Sequence, residues 1–501
     1  MSRWQTGKID NQNKAMNEIN FLQARLISRR QMLEMSGMGM GSVALAALMH
    51  SDAVRADQVH FKPRMDLLPS KPHFPARAQA VIQLVMTGGP SQMDLFDPKP
   101  ELQQRHDQVF EIKIDAFQRG SEANRLMASP FKFRKVGQSG MNMSECLTHL
   151  PDVADDICLI RSQVGVHNNH TEGIINLGCG KMFLGRPTLG AWVSYGLGTE
   201  NRDLPAFVVL RDPKGYSTSG GLMSKNGWMP AIFGGTEFNT TGPAVRNLQP
   251  SQSLPRGVRR RSLEFLAQLN TEHRRNYPYN SELESRIKNY ELAARMQLTA
   301  SRALDLSTET RSTRQLYGLD NTETASYGTR CLMARRLVEA GVRFIQVFSE
   351  KGQPWDHHNG LSEGLPDMCD KTDLATTGLI KDLKQRGLLD STIVVWAGEF
   401  GRMPVAQNGT GRDHNKHAGS FFLAGGGFKG GITHGTTDDV GYAVVEDPVT
   451  VPDMFACILH QLGLDHTRLQ YFHSGRFENS TDDVVTGAHV HPQIIGTPIY
   501  A

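Results

Sequence analysis

An α/β fold, with a mostly parallel central sheet flanked by helices, is the architecture that this sequence predicts. Short apolar runs that stop at glycine or polar residues recur along the chain, and such runs are typical of buried strands. Helical patterns lie between several of these runs, and this alternation favours a parallel sheet. The predicted strands occupy residues 80–86, 157–161, 206–210, 343–348, 392–397 and 420–424.

The accompanying helices are predicted from apolar positions that repeat at helical spacing. They occupy residues 145–155, 324–340, 371–386 and 451–462. Residues 255–306 break the alternation, because this stretch is helical, charged and poor in strand-forming residues. We interpret it as a helical insertion in a single domain of residues 57–501, not as an independent module.

The composition is that of a globular protein and excludes several other classes. Hydrophobic residues make up 39% of the 501 residues and charged residues 21%, which excludes a disordered or collagen-like chain. A formal net charge of +3 argues against nucleic acid as a partner, because phosphate binding needs a surplus of basic side chains. The six cysteines form no Cys-x-x-Cys pair, which argues against a thiolate zinc site. The sequence is compatible with one or two disulfides after export and also with buried free thiols.

The first 56 residues resemble an export signal. Arg29 and Arg30 form a twin-arginine pair, and the apolar run that follows, residues 35–49, is too short for a comfortable membrane span. Small residues around Ala56 offer a cleavage site. We therefore expect the twin-arginine export machinery as a partner, a periplasmic or secreted mature protein, and no stable membrane span after cleavage. The alternative is a short buried helix after a polar tail.

Acidic residues and histidines follow the predicted strands at the points where the strands end. In an open α/β sheet these points meet at one edge, where active sites lie. Imidazole and carboxylate ligands without thiolates suit zinc, manganese or magnesium, and a set of this size suits two ions better than one. A single such residue is more often a helix cap or a surface side chain. The segments are 94–97, 167–173, 355–359, 399–402 and 412–417.

Three motifs in these segments resemble a family of exported bacterial proteins known as domain of unknown function 1501. They are Gly88-Gly89-Pro90-Ser91-Gln92-Met93-Asp94-Leu95-Phe96-Asp97-Pro98-Lys99, Glu399-Phe400-Gly401-Arg402-Met403-Pro404 and Gly411-Arg412-Asp413-His414. The resemblance extends from about residue 79 to 469. The family looks like a branch of the alkaline phosphatase and sulfatase superfamily, whose members hydrolyse phosphate or sulfate esters at a two-metal site.

The resemblance implies roles for individual residues. By its position after the second predicted strand, Thr171 is the candidate nucleophile, with a plain helix N-cap as the alternative. Arg402 or Arg412 would hold the free oxygens of the ester, or would simply pair with Asp413 or Glu399. Two divalent ions are implied, with zinc first and manganese, magnesium or calcium as alternatives. The implied metal ligands are Asp94, Asp356, His358, Glu399 and His417, and His414 is either a further ligand or a base that does not contact the metal.

The sequence departs from the superfamily pattern at three points. The spacing from Asp356 to His358 is shorter than in the phosphatase pattern. Phe400 stands where an imidazole is expected, and no Cys-x-Pro-x-Arg element is present, which argues against a formylglycine sulfatase. The leading hypothesis is an exported metal-dependent hydrolase of phosphate or sulfate esters that acts on a small molecule or a polysaccharide. The alternative is a non-catalytic binding protein that keeps the fold.

Overall fold

The computed structural model describes residues 64–241, 256–276 and 281–496. The predicted signal peptide, residues 1–56, lies outside the described residues. Each predicted strand overlaps an observed one, and the observed strand Ile157–Val164 extends three residues beyond the predicted run. In chain order the strands are β1 Ala80–Val85, β2 Phe133–Val136, β3 Met141–Ser144, β4 Ile157–Val164, β5 Phe207–Leu210, β6 Thr236–Glu237, β7 Phe344–Phe348, β8 Thr392–Ala397, β9 Gly401–Gln407, β10 Gly411–Asn415, β11 Gly419–Ala424, β12 Ile432–His434, β13 Thr436–Thr437, β14 Val444–Glu446, β15 Val449–Thr450, β16 Gln470–His473 and β17 Arg476–Asn479.

Eleven α-helices accompany the strands in the described part of the chain. Two of them, α5 and α6, fall in the stretch for which the sequence predicts a helical insertion. The helices are α1 Gln92–Leu95, α2 Pro100–Gln104, α3 His170–Cys179, α4 Leu189–Leu197, α5 Arg256–Asn276, α6 Ser281–Ala303, α7 Arg311–Leu316, α8 Thr322–Glu339, α9 Leu361–Gln385, α10 Val451–Gln461 and α11 Asp483–Thr486. The helix predicted over 145–155 is wrong in kind, because only a 3₁₀ segment, Leu150–Asp156, forms after a turn.

The central sheet has nine strands in the order β12-β4-β11-β8-β1-β7-β5-β6, and β15 also pairs with β4. All its neighbours pair in parallel except for β11, which is antiparallel to both β4 and β8. The α/β fold with a mostly parallel sheet is therefore confirmed. Because β11 runs against the others, it begins at the edge where β1, β4, β7 and β8 end.

The sheet is covered on both faces. Every residue of β1, β7 and β8 is buried, which is why these strands are continuous apolar runs and not alternating ones. Helices α8 and α9 pack against each other and share one apolar core with the sheet, in which Ile82, Leu332 and Leu379 are fully buried. All six cysteines are buried free thiols. Among the described residues, no helix is both long and apolar enough to cross a membrane.

A two-stranded antiparallel ribbon, β9 and β10, leaves the edge where the parallel strands end. It begins just after β8 and returns to the start of β11. The ribbon carries Arg402, Gln407, Arg412 and His414, and nearly all of its residues are buried. Polar side chains are costly to bury without partners, so the ribbon is where a polar site is expected.

Candidate metal centre

Four side chains meet at this edge of the sheet: His170, Asp356, His358 and His414. Each offers one ligand atom, and these atoms all lie within 4.8 Å of one another. His170 begins α3 in the segment that follows β4, Asp356 and His358 follow β7, and His414 lies on β10. Three elements far apart in the chain thus contribute to one cluster.

His170 lies between two carboxylates. Its Nδ1 is 2.7 Å from Glu399 Oε1, and its Nε2 is 3.1 Å from Asp356 Oδ2. Burial lowers the pKa of His170, but the hydrogen bonds to both carboxylates outweigh it and raise the pKa above its ordinary value. The Glu399 side chain is fully buried, and its Oε2 has no hydrogen-bond partner.

His414 and His358 approach the other oxygen of Asp356. His414 Nδ1 is 2.6 Å from the Asn168 carbonyl oxygen, and its Nε2 is 3.1 Å from Asp356 Oδ1. His358 Nδ1 contacts Gln407 Oε1, while its Nε2 lies 3.0 Å from Asp356 Oδ1 without forming a hydrogen bond. Gln407 donates its amide nitrogen to the Arg119 carbonyl, so its oxygen faces His358.

The three histidines share one arrangement. Each Nδ1 faces an acceptor, namely a carboxylate, an amide oxygen or a backbone carbonyl, so in the neutral form Nδ1 carries the proton and Nε2 a lone pair. Burial, together with the nearby Arg402 charge, lowers the pKa of His414 to about 3, so this ring is neutral. At His414, an Nε2 lone pair that faces Asp356 Oδ1 at 3.1 Å is unfavourable unless a cation lies between the two atoms. These residues therefore fit a divalent ion, and the acceptors at Nδ1 are the usual outer partners of metal-binding histidines.

Arg402 is the fixed positive charge of the site. Its Nη2 is 2.6 Å from Asp356 Oδ1, and its Nε and Nη1 donate to the carbonyls of Gly89 and Arg412 at 2.8 and 3.0 Å. Nη2 also contacts the Gly88 carbonyl. Burial raises the pKa of Asp356, but Arg402 and the three imidazoles hold it far below its ordinary value. Every nitrogen of this guanidinium is occupied within the protein.

The turn after β1 fits closely around the cluster. Gly88 and Gly89 have φ of 116° and 73°, and a Cβ on Gly88 would lie 2.7 Å from the backbone nitrogen of Asp356. The Gly88 amide donates to Glu399 Oε1 at 2.8 Å. Only glycine permits this backbone conformation and this approach without strain. The turn thus fixes Asp356 and Glu399 together.

Asp94 lies outside the cluster, contrary to the sequence prediction. Arg412 binds its carboxylate with two nitrogens, Nε at 2.6 Å and Nη2 at 3.2 Å, and the Ser91 hydroxyl also donates to it. Both side chains of the pair are fully buried. A carboxylate engaged in this way is occupied by an internal cation, so we assign Asp94 to a buried ion pair.

His417 also lies outside the four-residue cluster. Its ring packs against Tyr442 with centroids 5.4 Å apart, and its amide donates to Asn415 Oδ1 at 2.9 Å. Asn415 is the last residue of β10, so this contact shapes the turn into β11. Burial is the main cause that lowers the pKa of His417.

Thr171 is the second residue of α3, directly after His170. The N-cap is Asn169, so the interpretation of Thr171 as a plain N-cap is wrong. The Thr171 hydroxyl accepts a hydrogen bond from Ser219 Oγ at 3.1 Å. Ser219 itself has a φ of 58°, a conformation that costs energy for a residue other than glycine.

Sequence reasoning brought Asp356, His358 and His414 to this edge but missed His170, Asn168 and Gln407. His170 lies in segment 167–173, which follows a predicted strand, so its imidazole could have been recognised as a candidate metal ligand. Gln407 faces His358 across 49 positions of sequence, and the Asn168 carbonyl faces His414 across 246. No local sequence pattern indicates either contact.

The family profile described as "Protein of unknown function (DUF1501)" matches residues 78–494. The chain therefore belongs to this family. No curated protein matches the sequence.

Several solved structures resemble the chain at low identity. Phosphonate monoester hydrolase SpPMH from Silicibacter pomeroyi is 12% identical, with a TM-score of 0.32 over 82% of this chain and 77% of that one. The PsFucS1 sulfatase from Pseudoalteromonas sp. is 10% identical, with a TM-score of 0.32 over 77% and 68%. Alkaline phosphatase from the Antarctic bacterium TAB5 is 12% identical, with a TM-score of 0.26 over 72% and 93%. Because these TM-scores are low, the fold is assigned from the strand order and strand directions of the central sheet.

Proposed function

We propose that this chain is a metal-dependent hydrolase of phosphate or sulfate esters, built around one divalent ion at this edge of the sheet. The observation that carries the proposal is the orientation of His170, His358 and His414. All three present Nε2 to the Asp356 carboxylate, and all three have Nδ1 held by an acceptor behind the ring. Three imidazoles and one carboxylate, with no thiolate, suit zinc best.

One ion, not two, fits the charges at this site. Of the six ligands predicted from the sequence, Asp94 is neutralised by Arg412, and Glu399 accepts from His170 and Gly88. The Arg402 guanidinium already donates to Asp356 Oδ1 at 2.6 Å, the same oxygen that His358 and His414 approach. We therefore propose that this guanidinium takes the place of a second cation. In that position Arg402 orients Asp356 and does not clamp the substrate.

The bound ion would supply Lewis-acid polarisation of an ester oxygen. Thr171 remains our proposed nucleophile, because it follows His170 directly on the first turn of α3. The hydrogen bond from Ser219 leaves the hydroxyl proton of Thr171 free to be transferred. Glu399, whose Oε1 faces His170 Nδ1 at 2.7 Å, is the proposed carboxylate that holds the His170 ring in place.

Export and the type of substrate are part of the same proposal. The twin arginines at positions 29 and 30 predict export in a folded state, and the substrate would be a small-molecule or polysaccharide ester. Replacing both arginines by lysine should keep the protein in the cytoplasm, as cell fractionation would show. Unchanged export would contradict the twin-arginine assignment.

The alternative, a non-catalytic metal-binding protein, is favoured by the number of ligands. Four protein ligands fill a tetrahedral zinc site, whereas catalytic zinc sites keep one position open. The complete occupation of the Arg402 nitrogens by protein atoms also favours it.

One experiment separates the two functions. Purified protein is analysed for metal content and then assayed with a panel of aryl phosphates and aryl sulfates, together with His414→Gln and Thr171→Ala. A hydrolase would turn over at least one ester class and lose activity in both variants, while only His414→Gln loses metal. Bound metal without turnover of any ester would favour the binding protein. If His414→Gln binds as much metal as the wild type, the candidate metal centre is refuted.

A further inference from the structure

A second group of metal-ligating side chains lies away from the candidate metal centre. Asp453, at the first turn of α10, meets His489 and His491 from the segment that follows α11. One ligand atom from each of the three lies within 4.8 Å of the others. Asp453 and His491 are buried, and His489 is exposed.

The distances in this group exceed those of hydrogen bonds. His489 Nδ1 is 3.6 Å from Asp453 Oδ1, and His491 Nε2 is 3.9 Å from Asp453 Oδ2. A hydrogen bond between such atoms would need about 3 Å. Two metal–ligand bonds of about 2 Å each would bridge these separations.

A buried nitrogen without a partner points into the group. The His491 side chain is only 7% exposed, and its Nε2 has no hydrogen-bond partner. His434, at the end of β12, is also buried, and its Nε2 has no partner. The rings of His434 and His491 lie 5.7 Å apart, and those of His489 and His491 are stacked at 4.4 Å. An orphaned polar atom in a protein interior is rare enough to need an explanation.

The carboxylate of Asp453 retains acceptor capacity for an ion. Its Oδ2 accepts from the Thr450 amide and hydroxyl in the capping box of α10, while Oδ1 accepts only the His489 amide. A carboxylate oxygen has two lone pairs, so one on Oδ1 is free. His489 Nδ1 is also 3.2 Å from the Gly487 carbonyl, an exposed contact that a coordinate bond would replace.

We infer that Asp453, His489 and His491 form a second site for a divalent cation of the zinc type. An ion there would tie the segment after α11 to the start of α10, at the side of the sheet where β15 leads directly into that helix. Such an ion would add a direct link between this segment and α10, beside the hydrogen bond that the His491 amide already donates to Cys457 Sγ. This inference does not depend on the hydrolase proposal.

The test is zinc content per chain after equilibration with zinc chloride and removal of excess metal, using protein purified without a histidine tag. His489→Gln is the principal variant, because that side chain is 64% exposed and its replacement is expected to leave the fold intact. His491→Gln is the second variant. His460→Gln, on the same helix α10, is the matched control, and His414→Gln removes the other centre.

We expect His489→Gln and His491→Gln each to lose one equivalent of zinc that His414→Gln and His460→Gln retain. If His489→Gln and His491→Gln both hold as much zinc as the wild type, or if His414→Gln holds none, the second site is refuted. Zinc that His489→Gln loses and His414→Gln keeps would support this site even where the candidate metal centre binds nothing.

Discussion

Arg412 and Asp94 are 318 positions apart in the chain, yet they form a two-pronged ion pair in which neither side chain is exposed at all. The arginine also donates to the carbonyls of Met403, Pro404 and Met127, so one guanidinium fastens the β9–β10 ribbon to the helix after β1. The ribbon also carries His414, so this ion pair fastens the element on which one residue of the candidate metal centre lies.

Asp94→Asn should destabilise the protein by about 3–5 kcal/mol, because it leaves the buried Arg412 charge without its counter-ion. Urea unfolding would measure the loss. Asp367→Asn is the control, since it breaks an exposed pair with Lys371 and should cost under about 0.5 kcal/mol. Folded Asp94→Asn protein should keep its metal. Loss of metal without loss of stability would show that Asp94 is a ligand.

Gln407→Leu should weaken zinc binding at the candidate metal centre by about 10–100-fold, because the His358 ring loses the acceptor that orients it. Gln407→Glu, which retains an acceptor oxygen, should restore most of the affinity. Competition with a zinc chelator would measure both values. Equal affinities for the two variants would mean that the contact between Gln407 and His358 does not orient the ring.

Gly88→Ala should disturb the cluster, because the new Cβ would lie 2.7 Å from the Asp356 nitrogen. Gly352→Ala is a matched control: its φ is also positive, at 81°, but nothing lies within 4 Å of a Cβ there. The control should lose about 1 kcal/mol of stability and keep its metal. Gly88→Ala should lose more stability and bind metal more weakly, as thermal unfolding and metal analysis would show. Identical behaviour of the two variants would contradict a close fit at this turn.

Thr171→Ala tests the nucleophile. The hydroxyl has one hydrogen bond in the structure, so its loss should cost about 1 kcal/mol of stability, while turnover of esters should cease. Ser219→Ala removes only the partner and should retain part of the activity. Steady-state kinetics with matched metal content would separate the two. Full activity in Thr171→Ala would assign the nucleophile elsewhere.

Asp373 should make the stability depend on pH. Its carboxylate accepts the amides of His149 and Leu150 at the start of the 3₁₀ segment, but burial outweighs these bonds and raises its pKa. The folded state therefore binds more protons than the unfolded state just above the ordinary aspartate pKa of about 4, and the contribution of this group falls as pH rises through that range. Urea unfolding at several pH values should show a smaller fall in Asp373→Asn than in the wild type. An unchanged slope would contradict the raised pKa.

The strands were predictable because their burial on both faces leaves continuous apolar runs, as in residues 80–85 and 392–397. The direction of β11 was not, since an apolar run looks the same in either direction. Asp356, His358 and His414 could be placed from their positions beside strand ends. Asp94 also lies beside a strand end, and the sequence therefore predicts it as a ligand. Its ion pair with Arg412 could not be predicted, because the two residues lie too far apart for any local pattern to connect them.

The spacing of the cluster along the chain also governs when it can form. His170 meets Asp356 across 186 positions, and His414 meets the Asn168 carbonyl across 246. Contacts of such high sequence separation lose more conformational entropy when the intervening loop closes, and they therefore form late in folding. A nascent chain that has not yet emerged from the ribosome beyond β10 lacks one ligand entirely. A chain truncated before residue 414 should therefore lack one of the four proposed ligands and form no complete centre.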